Sequence, residues 1–375
     1  MTGSVVVSGA LARRAEYGGH VWALMQWVLG LRQLGFQVVF LDRLDPDPGP
    51  GRALQVQRFL EAMEFFGLED SFSLDLGPDE PPVGLARREV LERTASSDFL
   101  LNIMGYLQDE LVLEKARKRV FLDIDPGFGQ MWHELGLCDL FSDHDAFVTV
   151  GNNLGEPDCR IPTCGRQWIP TLPPVVLSLW PFHRTRGRAF TSVGSWRGPF
   201  DPIEFDGETF GLRVHEFRQF STLPRACGLP FEIALDIDPV EEEDLRRLRD
   251  GGWTLEDPSR VASDPRTYRR YVQQSLGEFM VAKGMYVRSR SGWFSDRTAC
   301  YLASGRPALM QDTGLNGRME TGLGLVTFNA LDDAVEVAGE VAGEWPRHSR
   351  AARELAVRHL DSNQVLGPIA EAVTA

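Results

Sequence analysis

The chain of 375 residues is poor in cysteine: five, at Cys138, Cys159, Cys164, Cys227 and Cys300. None stands in a C-x-x-C spacing, which excludes a zinc ribbon and a disulfide framework and predicts five reduced thiols in a cytoplasmic protein. Cys159 and Cys164 are near enough in sequence to suggest one bridge, but nothing else reads as secreted. Long apolar runs are also missing, and none approaches the roughly 20 residues that span a bilayer. The opening Met1-Thr2-Gly3-Ser4-Val5-Val6-Val7 lacks a basic segment and a long apolar one, so no secretory signal is expected. Positive charge is short as well: 39 Lys+Arg stand against 53 Asp+Glu, a net charge of −14. An acidic chain is not drawn to nucleic acid or to an anionic membrane surface, so neither is an expected partner. What remains is the 43% apolar, 25% charged mixture of an ordinary globular protein, too long for a single core.

The pattern along the chain is α/β. Val5-Val6-Val7 reads as a buried strand ending at Ser8-Gly9, followed by a loop with Arg13, Arg14, Gly18 and Gly19. An apolar helix from Val21 to Leu34, closed by Gly35, leads to a second strand over 38–41. Strand, crossover helix and strand make a βαβ unit, hence a doubly wound parallel sheet. Residues 99–103, 120–124 and 146–150 supply further strands. Between Asp158 and Gly187 five prolines, at 162, 170, 173, 174 and 181, mark an inter-domain linker. A second series follows, with strands over 190–193, 231–235, 279–281 and 308–310 and helices over 241–249, 267–275, 296–303 and 331–341. The expected organisation is two facing Rossmann-like domains, 1–175 and 185–345, with a helical tail over 346–375 that packs back on the first. Asp-Ile-Asp-Pro occurs at Asp123–Pro126 and at Asp236–Pro239, which two similar halves would explain, as would chance.

The segment Lys283 to Gly314 is richest in chemistry. It runs from a strand through the turn Arg290-Ser291-Gly292-Trp293-Phe294 into a helix opened by Ser295 and Asp296, then through Gly305-Arg306-Pro307 into another strand. A helix N-terminus offers unpaired N–H groups and positive potential to a diphosphate. Arg290 and Arg297 add charge and Ser295 a hydroxyl, although Ser295 and Asp296 read equally well as a plain N-cap. Trp293 either packs under the turn or stacks on a nucleobase. Lys283 after its strand, and Arg197 in the loop Gly194-Ser195-Trp196-Arg197-Gly198, are further phosphate candidates; both also read as solvated charges. Arg288, Arg290 and Arg297 are the expected local exception to the acidic surface.

These residues resemble the donor domain of the GT-B-type glycosyltransferases, in which His-Cys-Gly-Trp-Asn-Ser precedes a helix ending Ala-x-Gly-x-Pro. The corresponding residues are Arg290-Ser291-Gly292-Trp293-Phe294-Ser295 and Ala303-Ser304-Gly305-Arg306-Pro307. The match departs at Arg290, which replaces the phosphate-binding His, in a segment about two residues longer, and at Cys300, where a ribose-binding Glu is common. Gln311-Asp312 resembles the family's sugar-binding Asp-Gln, which carries the sugar contact to Asp312. The opening is similar too: Gly18-Gly19-His20-Val21, then Leu31-x-x-x-Gly35-x-x-Val38.

The resemblance implies transfer of a sugar, such as a hexose, from a nucleotide diphosphate sugar bound by residues 185–345 to a hydroxyl of a small molecule or glycan bound by residues 1–175. It implies no cofactor and no obligatory metal. In an inverting enzyme His20 is the base, and Asp123 or Asp125, at the end of a strand, orients it; in a retaining one that role lapses. The Asp123/Asp125 and Asp236/Asp238 pairs also fit Mg²⁺ or Mn²⁺, but a single metal site does not require the same turn in each half. A nucleotide-sugar epimerase of the same fold and a non-catalytic nucleotide-sugar binder are the alternatives. A dehydrogenase is disfavoured, since no G-x-G-x-x-G follows the first strand.

Overall fold

The computed structural model describes residues 3–44, 51–198, 200–315 and 317–374. Sixteen strands are present: β1 (Ser4–Ser8), β2 (Gln37–Arg43), β3 (Phe72–Asp75), β4 (Val83–Gly84), β5 (Phe99–Ile103), β6 (Arg119–Asp123), β7 (Ala146–Thr149), β8 (Trp168–Pro170), β9 (Phe190–Ser195), β10 (Ile203–Phe205), β11 (Glu208–Phe210), β12 (Phe231–Asp236), β13 (Thr254–Glu256), β14 (Gly277–Met280), β15 (Ala308–Gln311) and β16 (Leu325–Phe328). They form an 8-stranded sheet in the order β4-β3-β2-β1-β5-β6-β7-β8, a 6-stranded sheet in the order β13-β12-β9-β14-β15-β16, and the hairpin β10-β11. Every pairing within the two large sheets is parallel except β3 with β4. The burial of Val5, Val6 and Val7, at 1% exposure or less, is what β-branched residues in a strand covered on both faces predict.

Each half is therefore Rossmann-like, and in each the strand order reverses beside its first strand. In the first half the reversal lies between β1 and β5, in the second between β9 and β14. Ligand crevices of open parallel sheets form at these points, beyond the carboxyl ends of the strands. The repeated Asp-Ile-Asp-Pro does not mark equivalent positions. Asp123 ends β6, two strands from β1, whereas Asp236 ends β12, beside β9 on the opposite side of its switch point. The halves are alike, but the motif echo is not a product of that likeness.

The helix Gly18–Gln33 is apolar around most of its circumference because it is enclosed on several sides. It faces the first sheet, the helix Pro265–Gln274 of the second half and the C-terminal helix Ser362–Thr374. At Gly30 a Cβ would lie 2.9 Å from that of Ser362, so two helices meet backbone to backbone there. The proline-rich crossing contributes one regular piece, β8, at the sheet edge, where a proline costs no ladder bond. The chain returns alongside it: Val175 N–H donates to Leu360 O at 2.7 Å, and Ser362 N–H to Val175 O at 3.0 Å. All five cysteines are free. No helix among the described residues is long and apolar enough to cross a membrane.

Several segments without sequence assignments hold regular structure. The helices Arg52–Phe65 and Arg87–Ser96 flank the first sheet, and Arg213–Phe217 is a short helix in the second half. In Arg87–Ser96 only Val90 and Thr94 are buried, so little apolar periodicity exists to read. Leu366, 1% exposed against Gly30, anchors the C-terminal helix. Leu366→Ala is expected to lower stability by about 3 kcal/mol, measured as a reduced urea midpoint; an unchanged midpoint would mean that the helix docks without it.

Candidate functional site

At the switch point of the second half, positive side chains converge around one buried carboxylate. Glu278 on β14 is 0% exposed, and the Arg297 Nε lies 2.6 Å from its Oε1. The Arg297 Nη1 also donates to Val193 O on β9 at 2.6 Å. Burial alone would lower the Arg297 pKa, but Glu278 outweighs it and raises it, so the guanidinium stays charged. The next residue along β9, Gly194, lies under a second guanidinium: a Cβ there would run into Arg213 Nη1. Burial, and then repulsion from Arg297, pull the Arg213 pKa down to about 10. Its buried Nε has no hydrogen-bond partner, nor has the Arg297 Nη2. Two adjacent guanidiniums with unanswered donors are chemically suited to an anion.

The first half supplies an anion at its edge. Asp125, just past β6, accepts from Lys283 Nζ at 2.5 Å and from the Tyr286 hydroxyl. Lys283 follows β14, and Tyr286 lies on the helix Gly284–Ser289, so this carboxylate ties the halves together across the cleft. Asp123, two residues earlier, turns the other way. It is 1% exposed and accepts from Gln130 Nε2 at 2.7 Å, Thr149 Oγ1 at 2.8 Å and the Asp125 N–H at 3.1 Å. Burial pushes its carboxyl up to about 7. The Asp-x-Asp pair thus divides into an interior group and a cleft group.

The turn before the helix Asp296–Ala303 is gripped by the first half. Gly292 has φ +65°, and a Cβ there would lie 2.8 Å from the Asn153 side chain, so only glycine fits. Asn152 Nδ2 donates to Gly292 O at 3.2 Å, and Asn153 Nδ2 to Arg290 O at 2.9 Å. Arg290 itself adopts a left-handed φ of 51°. Trp293 stacks on Tyr286 with ring centroids 4.2 Å apart, which is the packing alternative of its two readings. Ser295 is the N-cap, its Oγ accepting from Arg297 N at 3.2 Å, and Asp296 follows as the first helical residue. Asp312 Oδ1 accepts from Gly314 N at 2.9 Å.

The remaining candidates are dispersed. Arg197 pairs with Glu241 on the surface, and Arg288 donates to Thr209 O at 3.1 Å, whereas Arg297 is drawn to Glu278, Lys283 to Asp125, and Arg213 lies in the field of both carboxylates. His20 lies in the first turn of its helix, with Nε2 3.0 Å from Ala10 O, and burial lowers its pKa. Gly18 donates to Ala262 O at 2.7 Å, and a Cβ on Gly19 would touch the Tyr268 ring at 3.0 Å. This glycine pair lets the first-half helix approach the second half. Arg213, Glu278 and Tyr286 were not legible as site residues; the one signal was a lone acid, Glu278, in an apolar strand.

The fold is two Rossmann-like halves in the GT-B arrangement, as in solved structures that it resembles. Solved structures that resemble this chain include an alpha-glucosyltransferase in complex with UDP, with TM-score 0.57 and 11% identity over 100% of both chains. Sucrose-phosphate synthase from Thermosynechococcus elongatus has TM-score 0.55 and 11% identity over 99% of both chains. Anabaena HepE in complex with UDP and glucose has TM-score 0.56 and 11% identity, also over 99% of both. No family model matches the chain, and no curated protein matches it in sequence.

Asp123 has a consequence for stability. Its folded pKa of about 7 lies above the ordinary carboxyl value of 3.8, so the folded state holds a proton that the unfolded state releases between those values. Its contribution is full below about 4 and is lost as pH rises to about 7. Relative to Asp123→Asn, the wild type is expected to lose up to about 1.4 kcal/mol per pH unit between pH 5 and 7. Urea unfolding of both proteins at the two pH values measures this; a constant difference would show Asp123 ionised throughout.

Proposed function

We propose that this protein is a glycosyltransferase that moves a sugar from a nucleoside diphosphate sugar to an acceptor hydroxyl. The observation that carries the reading is the pair Arg213 and Arg297, with unpartnered donors, at the switch point of the second half. Like charges held this close favour a bound anion, and a diphosphate supplies one. The three similar structures contribute the fold, and UDP is named with two of them.

In this reading the C1–oxygen bond to the diphosphate breaks as the acceptor oxygen bonds to C1. Charge grows on the leaving phosphate, and Arg213 and Arg297 neutralise it. Lys283 joins them once the phosphate displaces Asp125 from its ammonium group. Two guanidiniums and an ammonium provide the charge that a divalent cation would otherwise provide, so no metal is required. Gly292, the Ser295–Asp296 helix start, Arg290 and Asp312 border the donor. For an inverting course His20 takes the acceptor proton. Its low pKa keeps it neutral, and with Nε2–H on the Ala10 carbonyl its Nδ1 is the basic atom.

UDP is expected to raise the thermal midpoint of the wild type. Arg213→Ala is expected to weaken UDP binding about tenfold or more, through loss of a charged hydrogen-bond donor, while uridine binding changes far less. Calorimetric titration of both ligands tests this; equal losses would remove the phosphate role. His20→Ala is expected to lower the rate of transfer about a hundredfold with UDP affinity unchanged; full activity would exclude His20 as the base.

A further inference from the structure

The first half has a switch-point crevice of its own. A cavity of about 560 Å³ opens at the carboxyl ends of β1, β2, β3 and β5, a size that suits a ligand of a few rings. Its floor is the upper end of the apolar layer under the helices Arg87–Ser96 and Glu110–Lys115, formed by Leu41, Val90 and Val112. Pro78, Pro82 and Tyr106 add a wall, and Tyr106 is 44% exposed.

The charges around this cavity are answered within the protein. Arg87 makes a two-bonded pair with Asp109, with Nη2 2.7 Å from Oδ1. Asp75 lies 3.7 Å from Arg43 Nε, and Glu80 lies 2.9 Å from Arg52 Nη1. The hydroxyls are engaged too: Ser8 Oγ donates to Asn102 Oδ1 at 2.8 Å, and Ser73 Oγ to Leu85 O at 2.9 Å. Asp42 accepts the Ala12 N–H at 2.8 Å and the Arg43 N–H at 2.6 Å, and burial pushes its carboxyl up to about 7. Below pH 7, where Asp42 keeps its proton, an ionised ligand would lose its hydration here while the Arg and acidic side chains that line the cavity already answer one another or a neighbouring arginine. An apolar ring would instead cover Leu41 and Val90 and lie against Tyr106.

We infer that this cavity seats the acceptor, and that the acceptor is an uncharged, ring-bearing alcohol or phenol. The word acceptor rests on the glycosyltransferase reading; the ligand chemistry rests on the cavity. Tyr106 follows β5 and Asp125 follows the neighbouring β6, so the wall of the cavity and the carboxylate of the cleft stand at the carboxyl ends of adjacent strands.

The test is calorimetric titration of the full chain at pH 6 with three probes of one ring system: 2-naphthol, 2-naphthoate and 2-naphthylmethylammonium. The neutral probe is expected to bind about tenfold tighter than either ion, and Tyr106→Ala to weaken it about fivefold while leaving UDP binding unchanged. An ion that binds as well as the naphthol, or a Tyr106→Ala variant with full naphthol affinity, overturns the inference. UDP titrated in parallel separates the two readings. Failure of UDP alone removes the donor assignment, whereas failure of the naphthol pattern alone removes the acceptor class.

Discussion

Glu278 sits in the middle of the second sheet with its side chain wholly out of water, and an unanswered carboxylate there would cost several kcal/mol. That one burial decides where positive charge goes in an otherwise acidic molecule. Arg297 answers Glu278 from the helix Asp296–Ala303 and reaches β9 at Val193, which pins the helix start to the switch point. Arg213 comes down over Gly194 next to it, where a side chain on β9 would block its approach. Arg297 is thus shared between a structural partner and the cleft, and Arg213 is left as the group with open capacity.

Closure of the cleft depends on a second carboxylate with the opposite fate. Asp125 stays at the edge of the first half and meets Lys283 and Tyr286 of the other. A pair partly open to water is worth little on its own, which in the proposed function suits a contact that a diphosphate displaces. Uncharged hydrogen bonds between side-chain amides and backbone hold the fold there as well. Gln26, 3% exposed on the first-half helix, accepts the Val176 N–H of the crossing at 2.8 Å. The Asn153 amide clasps the Gly292 turn from the first half. The cation cluster and the acceptor cavity are therefore held on opposite sheets, while the movable contact lies between them.

Much of the architecture was legible because parallel sheets write themselves as short apolar runs. Val5–Val7, Phe99–Ile103 and Phe231–Leu235 all lie in strands of the structure. Segments with weak periodicity were silent: Arg87–Ser96 is half charged, and Arg213–Phe217 is only five residues long. The helix over Asp296–Ala303 and its Ser295 cap were legible from local chemistry. Arg213 was not, since its significance comes from Gly194, nineteen residues away in sequence and on a different element.

By itself the sequence determined the two α/β halves, the proline-rich crossing between them and the glycine turn ahead of a capped helix. Hydrophobic period, turn residues and caps are local, and each acts through neighbours a few positions away. Only the tertiary structure decided which charged groups face the cleft. Arg288 and Arg197 find surface partners, whereas Arg213 and Lys283 are turned inward. Asp123 and Asp125, two residues apart, differ because one lies under Thr149 and Gln130 while the other meets the opposing half. A charged side chain takes its role from the burial and the counter-charge around it, and both are properties of the folded chain.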